Sequence, residues 1–286
     1  MVGVVALALT GCGDEEGDGG GDGLARQDPV AADTLLAQVR PTGAGPQEID
    51  TRLQARLEGE ARGAVAAFVD TPLELHVTGR GDSRRGAADL RLTLDAGVLK
   101  ADGRVVAVGT RSYAQLLDEW YVLPESDGVF SAVTPALLAE PDVLLADDAQ
   151  VIGTEDVDGV ACDVVEGQTD ADAVAERLAG VVGVVPVLGD AAGLDAAALR
   201  EALEAGTARV WVGRDDKEVH RVRVDTRVEL TATTLGAQGV RRGEVTLDAR
   251  AVDADGPVEA EAPTDARPVE ELRERLGGLA PGASPS

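Results

Sequence analysis

The chain has 286 residues and carries 52 acidic against 26 basic side chains, a net charge of −26. So acidic a polypeptide repels nucleic acid and anionic lipid headgroups, and its charge serves mainly solubility. With only two Trp, two Tyr and two Phe, a core has to be built from Val, Leu and Ala. The length admits one large domain or two smaller ones. The only lysines are Lys100 and Lys217 and there is no Asn, the imprint of a GC-rich genome rather than of a mechanism.

The first twelve residues set the expected location. An apolar run over 2–9 leads into Leu9-Thr10-Gly11-Cys12, after which residues 13–23 are only Gly, Asp and Glu. This order resembles the end of a bacterial lipoprotein signal peptide. The resemblance implies that Cys12 is the lipidation site, its thiol converted to a diacylglyceryl thioether. No Lys or Arg precedes the apolar run, so Met1 is expected to lie inside a longer signal. The alternative is a buried N-terminal strand with an ordinary cysteine. Two acyl chains hold a protein stably on a bilayer, whereas the apolar run is shorter than the about 20 residues that span one. The expected organisation is a signal segment over 1–12, an acidic Gly-rich tether over 13–27, one domain over 28–278 and a frayed tail over 279–286.

A short helix is expected over 33–40, before Pro41. From Ile49 to Glu58 apolar and polar residues alternate, the mark of a strand with one dry and one wet face. The pattern returns at Leu73, Leu75 and Val77, at Leu90, Leu92 and Leu94, at 105–108 and at 120–123. Asp102-Gly103 reads as a two-residue hairpin turn, whose central positions need positive φ. Residues 129–147 suit one or two short helices broken at Pro135 and Pro141. Residues 151–156 and 160–167 read as a hairpin closed by Asp158-Gly159. A helix follows over 169–182, with Thr169 and Asp172 in capping-box spacing, and another over 194–205, capped by Asp195 and ended by Gly206. Residues 208–213 lead into the most extended alternation, His220 to Leu230, which 245–251 partners. A closing helix is expected over 265–276.

Strands in hairpin order with helices inserted mid-chain give an antiparallel α+β fold. A single large sheet with one apolar face has to bury that face. A curved half-barrel with helices on its concave side does so.

Residues 105–123, with Gly109, Tyr113 and Trp120-Tyr121, resemble a stretch of the LolA-like superfamily, nearest its actinobacterial LppX/LprG-type lipoproteins. The run Val151-Ile152-Gly153-Thr154-Glu155-Asp156-Val157-Asp158-Gly159-Val160-Ala161-Cys162 is similar to a hairpin of those proteins, and Val210-Trp211-Val212-Gly213-Arg214-Asp215 to the strand before their long hairpin. The resemblance covers most of residues 28–275. It implies a hydrophobic cavity that receives acyl chains, a cell-envelope location on the extracytoplasmic face, and lipid or lipoprotein handling there.

The expected lining of that cavity is the apolar faces of the long strands: Leu53, Leu57, Leu75, Leu92, Leu94, Val222, Val224, Val228 and Leu230. Residues 178–189 carry no charge and are broken by glycines and Pro186. There Val181, Val182, Val184, Val185 and Leu188 form either a mobile lid or a helix end packed flat on the sheet. Cys162, among valines, reads as a small buried hydrophobe. Gly79-Arg80-Gly81-Asp82-Ser83 spells the integrin attachment sequence by chance at a strand end. His76 and His220 lie far apart in separate strands and support neither a metal site nor a catalytic triad. The acidic pairs Asp156/Asp158 and Asp253/Asp255 lack the remainder of a calcium loop and read as turns.

No catalytic constellation, cofactor motif or metal site is expected, and the partners expected are a lipid or acylated ligand and the membrane, with the protein a monomer. The leading expectation is a non-enzymatic lipid-binding lipoprotein. The alternative is a structural or interaction lipoprotein with a solid core. An enzyme would need carboxylates converging in a pocket.

Overall fold

The computed structural model describes residues 29–40, 45–59, 71–97, 99–116, 118–123, 144–145, 148–183, 200–204, 206–229 and 240–272. Their strands form one sheet of twelve, β1 (Pro46–Gly59), β2 (Leu73–Asp82), β3 (Ala87–Ala96), β4 (Leu99–Val108), β5 (Arg111–Leu116), β6 (Glu119–Val122), β7 (Gln150–Val157), β8 (Val160–Gln168), β9 (Thr207–Gly213), β10 (Val219–Glu229), β11 (Val240–Asp253) and β12 (Arg267–Pro268). The spatial order is β12-β6-β5-β4-β3-β2-β1-β11-β10-β9-β8-β7. Every pairing is antiparallel except β12 with β6. The sheet is curved and unclosed, the half-barrel expected from the alternation.

Register decides which side chains share a face. Leu53 lies between Leu75 of β2 and Leu247 of β11, and Leu75 faces Leu94 across the next ladder. These residues join Val105, Val210, Val222 and Val224 in one buried cluster that also holds Ala32 and Leu35 of α1 (Pro29–Leu36) and Val174, Ala175 and Leu178 of α2 (Ala171–Gly183). Both helices thus pack into the buried cluster on the apolar face, α1 against the edge strand β7. Val174 and Leu178 lie one turn apart, as an amphipathic helix on a sheet requires.

Several expectations are corrected. The first helix starts at Pro29, a residue preorganised for a helix start, and its ordered turns end at Leu36 rather than running to Arg40. The cap of α2 is Asp170, whose carboxylate accepts the Ala173 amide at 2.9 Å. Thr169 instead accepts the Gly206 amide through its hydroxyl. Asp102-Gly103 lies inside β4, with Gly103 opposite Leu92 and Leu116. The turn falls at Gly97, with φ 70° and its amide bonded to Asp95. Asp158-Gly159, with φ 52° and 89°, is the turn expected. Residues 265–268 are not helical: Arg267–Pro268 is strand, and the helical turn is confined to 269–272 among the described residues. β5 is a strand that alternation does not mark. Most of 129–147, 184–199 and Leu230 lie outside the described residues, as does Cys12.

The outer face is polar and laced with ion pairs. Arg104 meets Asp89 through two hydrogen bonds of 2.6–2.7 Å, and Arg221 meets Asp248 at 2.6 and 2.9 Å. At β7–β9 this face carries its own apolar cluster, Ile152, Val157, Cys162, Val164 and Trp211. The Arg221 guanidinium lies 4.5 Å above the Trp211 ring, and the indole N–H donates to Glu155 at 2.7 Å.

Candidate functional site

The concave face is the candidate site, and its burial is graded along the strands. Toward the end of the strands marked by Asp82 and Asp253 it is closed: Ile49, Val77, Leu90, Val105, Ala249 and Ala251 are all buried. Toward the opposite end, Ala55, Leu57, Leu73, Ala101, Leu116 and Val245 are only half-buried. They occupy the same side of β1, β2, β4, β5 and β11, for Ala55 pairs with both Leu73 and Val245, and Leu94 with both Leu75 and Ala101. At this end the β7–β10 half is closed by backbone: Leu203 bridges Val228, Leu145 bridges Thr169, and the Glu204 amide donates to Arg227. The β1–β5 half has no such closure among the described residues.

Of the nine expected lining residues, eight are described and all share this face. Leu53, Leu75, Leu92, Leu94, Val222, Val224 and Val228 are between 0% and 8% exposed, so the protein itself covers them. Leu57 alone of the eight keeps substantial accessible surface. Accessible apolar surface is therefore gathered at one end of the trough instead of along its floor. Alternation reveals which face a residue takes, whereas the depth that separates Ala55, Leu73, Ala101, Leu116 and Val245 from the buried floor depends on tertiary packing. Of the expected lid residues, Val181 and Val182 lie in the last turn of α2, and Val184, Val185 and Leu188 lie outside the described residues.

Gly103 belongs to the same region. A Cβ there would come within 3.0 Å of the Gln115 carbonyl oxygen and 3.2 Å of a Leu116 methyl. A side chain at this position would therefore crowd Leu116 and the β5 backbone.

Both histidines lie against carboxylates. His76 lies 2.8 Å from Asp50 and His220 2.9 Å from Asp216. Burial alone would raise the Asp216 pKa, but the Glu218 amide and the His220 ring hold it below the usual carboxylate range. Cys162 is buried; burial, then the nearby Asp216, Asp156, Asp163 and Glu155, push its thiol up to about 12. A thiol so raised is neutral and unreactive at physiological pH. Three open clefts of about 480–590 Å³ have mixed polar and apolar walls, and none is lined by any of the nine expected residues. Among the described residues no helix is long and apolar enough to cross a membrane.

Fold and site define an open antiparallel half-barrel whose apolar trough is covered along its floor and accessible at one end. No protein-family model matches the chain, and no curated protein matches it in sequence. Among solved structures it is similar to the Mycobacterium tuberculosis lipoprotein LppX, at 17% identity over 80% of this chain and 99% of that one, with a TM-score of 0.40. It is also similar to LprF from Mycobacterium bovis (11% identity, 84% and 99% covered, TM-score 0.44) and to a conserved protein from Thermus thermophilus (10%, 83% and 97%, TM-score 0.32).

Proposed function

We propose that the protein is a non-enzymatic carrier that takes an acyl chain of a lipid or acylated molecule into the open end of its trough, held at the extracytoplasmic face of the cell membrane through Cys12. The observation that carries this reading is the row of half-buried apolar side chains, Ala55, Leu57, Leu73, Ala101, Leu116 and Val245, continuous with the buried floor. An aliphatic chain needs no placed charge, only apolar surface that water leaves on binding, with roughly 25 cal/mol gained per Å². Native mass spectrometry of the full-length protein purified from membranes is expected to show one co-purifying acyl lipid, displaced by added cis-parinaric acid.

A second reading, a structural module with a filled interior, draws on the 0–8% exposure of the seven floor residues. It gives the opposite outcome, no bound lipid and no parinaric acid fluorescence. Anchoring has a separate test: with the complete signal present, Cys12→Ala is expected to move the protein from the membrane to the soluble fraction. Continued membrane association would count against lipidation at Cys12.

A further inference from the structure

After β11 the chain leaves the sheet's middle at Asp253 and rejoins the sheet at its far edge, where Arg267 and Pro268 pair with Tyr121 and Val122 of β6. Between them residues 254–266 cross the outer face. Asp255 to Glu259 pass over Thr78, Arg80, Asp89 and Arg91, leaving a cleft of about 570 Å³ beneath them. Arg80 and Asp89, beside which the segment passes, begin one cross-strand row of the sheet that runs on through Val106 and Tyr113 to Val122. Seven strand spacings make this crossing about 34 Å, and the fourteen peptide steps from Asp253 to Arg267 reach at most about 48 Å. The strap therefore makes the crossing with about 14 Å to spare.

It is attached first by the Ala254 amide, which donates to the Pro46 carbonyl at 2.9 Å. Arg80 donates to the carbonyls of Asp255 and Gly256, and Val258 is buried. At the far end, two residue pairs form the ladder, and Arg267 lies 3.4 Å from Glu119, which also accepts the Tyr121 hydroxyl. Beyond the ladder the chain turns inward: Val269 and Leu272 are 1% exposed, and Val269 belongs to the core of the concave face. One segment thus passes over the outer face of β2 and β3, hooks the β6 edge and turns Val269 into the buried cluster. Between Asp253 and Pro268 only Val258 is buried, and a segment with so few buried apolar contacts is the part of a fold that opens at a small fraction of the global unfolding free energy.

We propose that residues 254–272 are a releasable clasp: with it closed, the β6 side of the trough is held shut by Val269 and Leu272, and its release lets that side part to admit or discharge a ligand. This rests on the carrier reading for its purpose but not for its motion. The test uses the full chain carrying Cys12→Ala, in which Cys162 stays buried. A disulfide from Val122→Cys with Pro268→Cys locks the clasp at an in-register exposed pair, since neighbouring strands place such Cα atoms within disulfide reach. Locking is expected to slow cis-parinaric acid release at least tenfold, with full recovery on adding reductant. Arg80→Ala, which removes the peg without entering the core, is expected to speed release several-fold. It should also raise amide exchange in 255–268 while leaving β9 and β10 unchanged. Equal release rates in locked and reduced protein would overturn the gating role, as would strap amides as protected as those of β9 and β10. If the wild-type protein takes up no parinaric acid, the carrier reading falls and gating with it; amide exchange then decides alone whether the clasp opens.

Discussion

Arg221 shows how a charge can be placed on a β-sheet without instability. Its guanidinium is held by Asp248 through two hydrogen bonds, with both side chains 17% exposed, and it stacks on the Trp211 ring. The bond to Asp248 outweighs burial and raises the arginine pKa. Removing Arg221 leaves the largely buried Asp248 carboxylate to the more distant Arg250, 3.9 Å away, and loses the closer, better-bonded counterion. Arg221→Ala is expected to lower unfolding free energy by about 3 kcal/mol, and Arg221→Met with Asp248→Leu to restore most of it; urea titration followed by tryptophan fluorescence measures both. Asp225 supplies a pH counterpart. Burial would raise its pKa, but Arg223 and Thr246 bond the carboxylate and hold it below the ordinary value. A carboxyl whose folded pKa is depressed contributes stability above its unfolded pKa of about 3.9 and loses it as pH falls through the folded value. Asp225→Asn should therefore flatten the acid limb of the stability curve below about pH 4 and leave its slope near neutrality unchanged; an unaltered acid limb would show that the carboxylate is not coupled to folding. Cys162 is expected to resist iodoacetamide at pH 8 until denaturant is added.

At the scale of elements, the turns decide register, and the β3–β4 hairpin is the instructive case. Gly97 takes φ 70°, and a Cβ there would come within 2.5 Å of the Thr71 Cγ2. Gly97→Ala is expected to cost about 1–2 kcal/mol in thermal or urea unfolding, from the left-handed backbone penalty and displacement of Thr71; a neutral substitution would place the turn elsewhere. Local sequence favours Asp102-Gly103, and that preference loses because pairing of Leu94 with Ala101 and Leu92 with Gly103 aligns the apolar faces of both strands. A slip of one residue would put those faces on opposite sides. Alternation did mark β1, β2, β3, β10 and β11, since each has one wet and one dry face. It did not mark β5, where Ser112, Tyr113 and Ala114 are consecutively buried, nor β12, whose partner strand lies far away in sequence. The chemical character of the trough was legible in the same periodicity, while its graded exposure was not, because packing of α1, α2 and Leu203 into the core is a tertiary property.

For the whole molecule, net charge and ion pairs oppose one another in their response to salt. The chain carries −26, a self-repulsion summed over distances comparable with the molecule. The outer-face pairs act over short range, with Arg104–Asp89, Arg209–Glu166 and Arg221–Asp248 each at 2.6 Å. Screening length falls from about 30 Å at 0.01 M to about 8 Å at 0.15 M. Over that range the long-range repulsion is screened while contacts of a few ångströms are barely touched, and exposed pairs contribute only about 0–1 kcal/mol each in any case. Melting temperature should therefore rise by several degrees between 0.01 and 0.15 M NaCl and flatten thereafter, as the remaining effect of salt reaches the pairs themselves. Calorimetry across that series checks it. A monotonic fall from the lowest salt onward would mean that the ion-pair ladder, rather than relief of like-charge repulsion, dominates the electrostatics of the sheet.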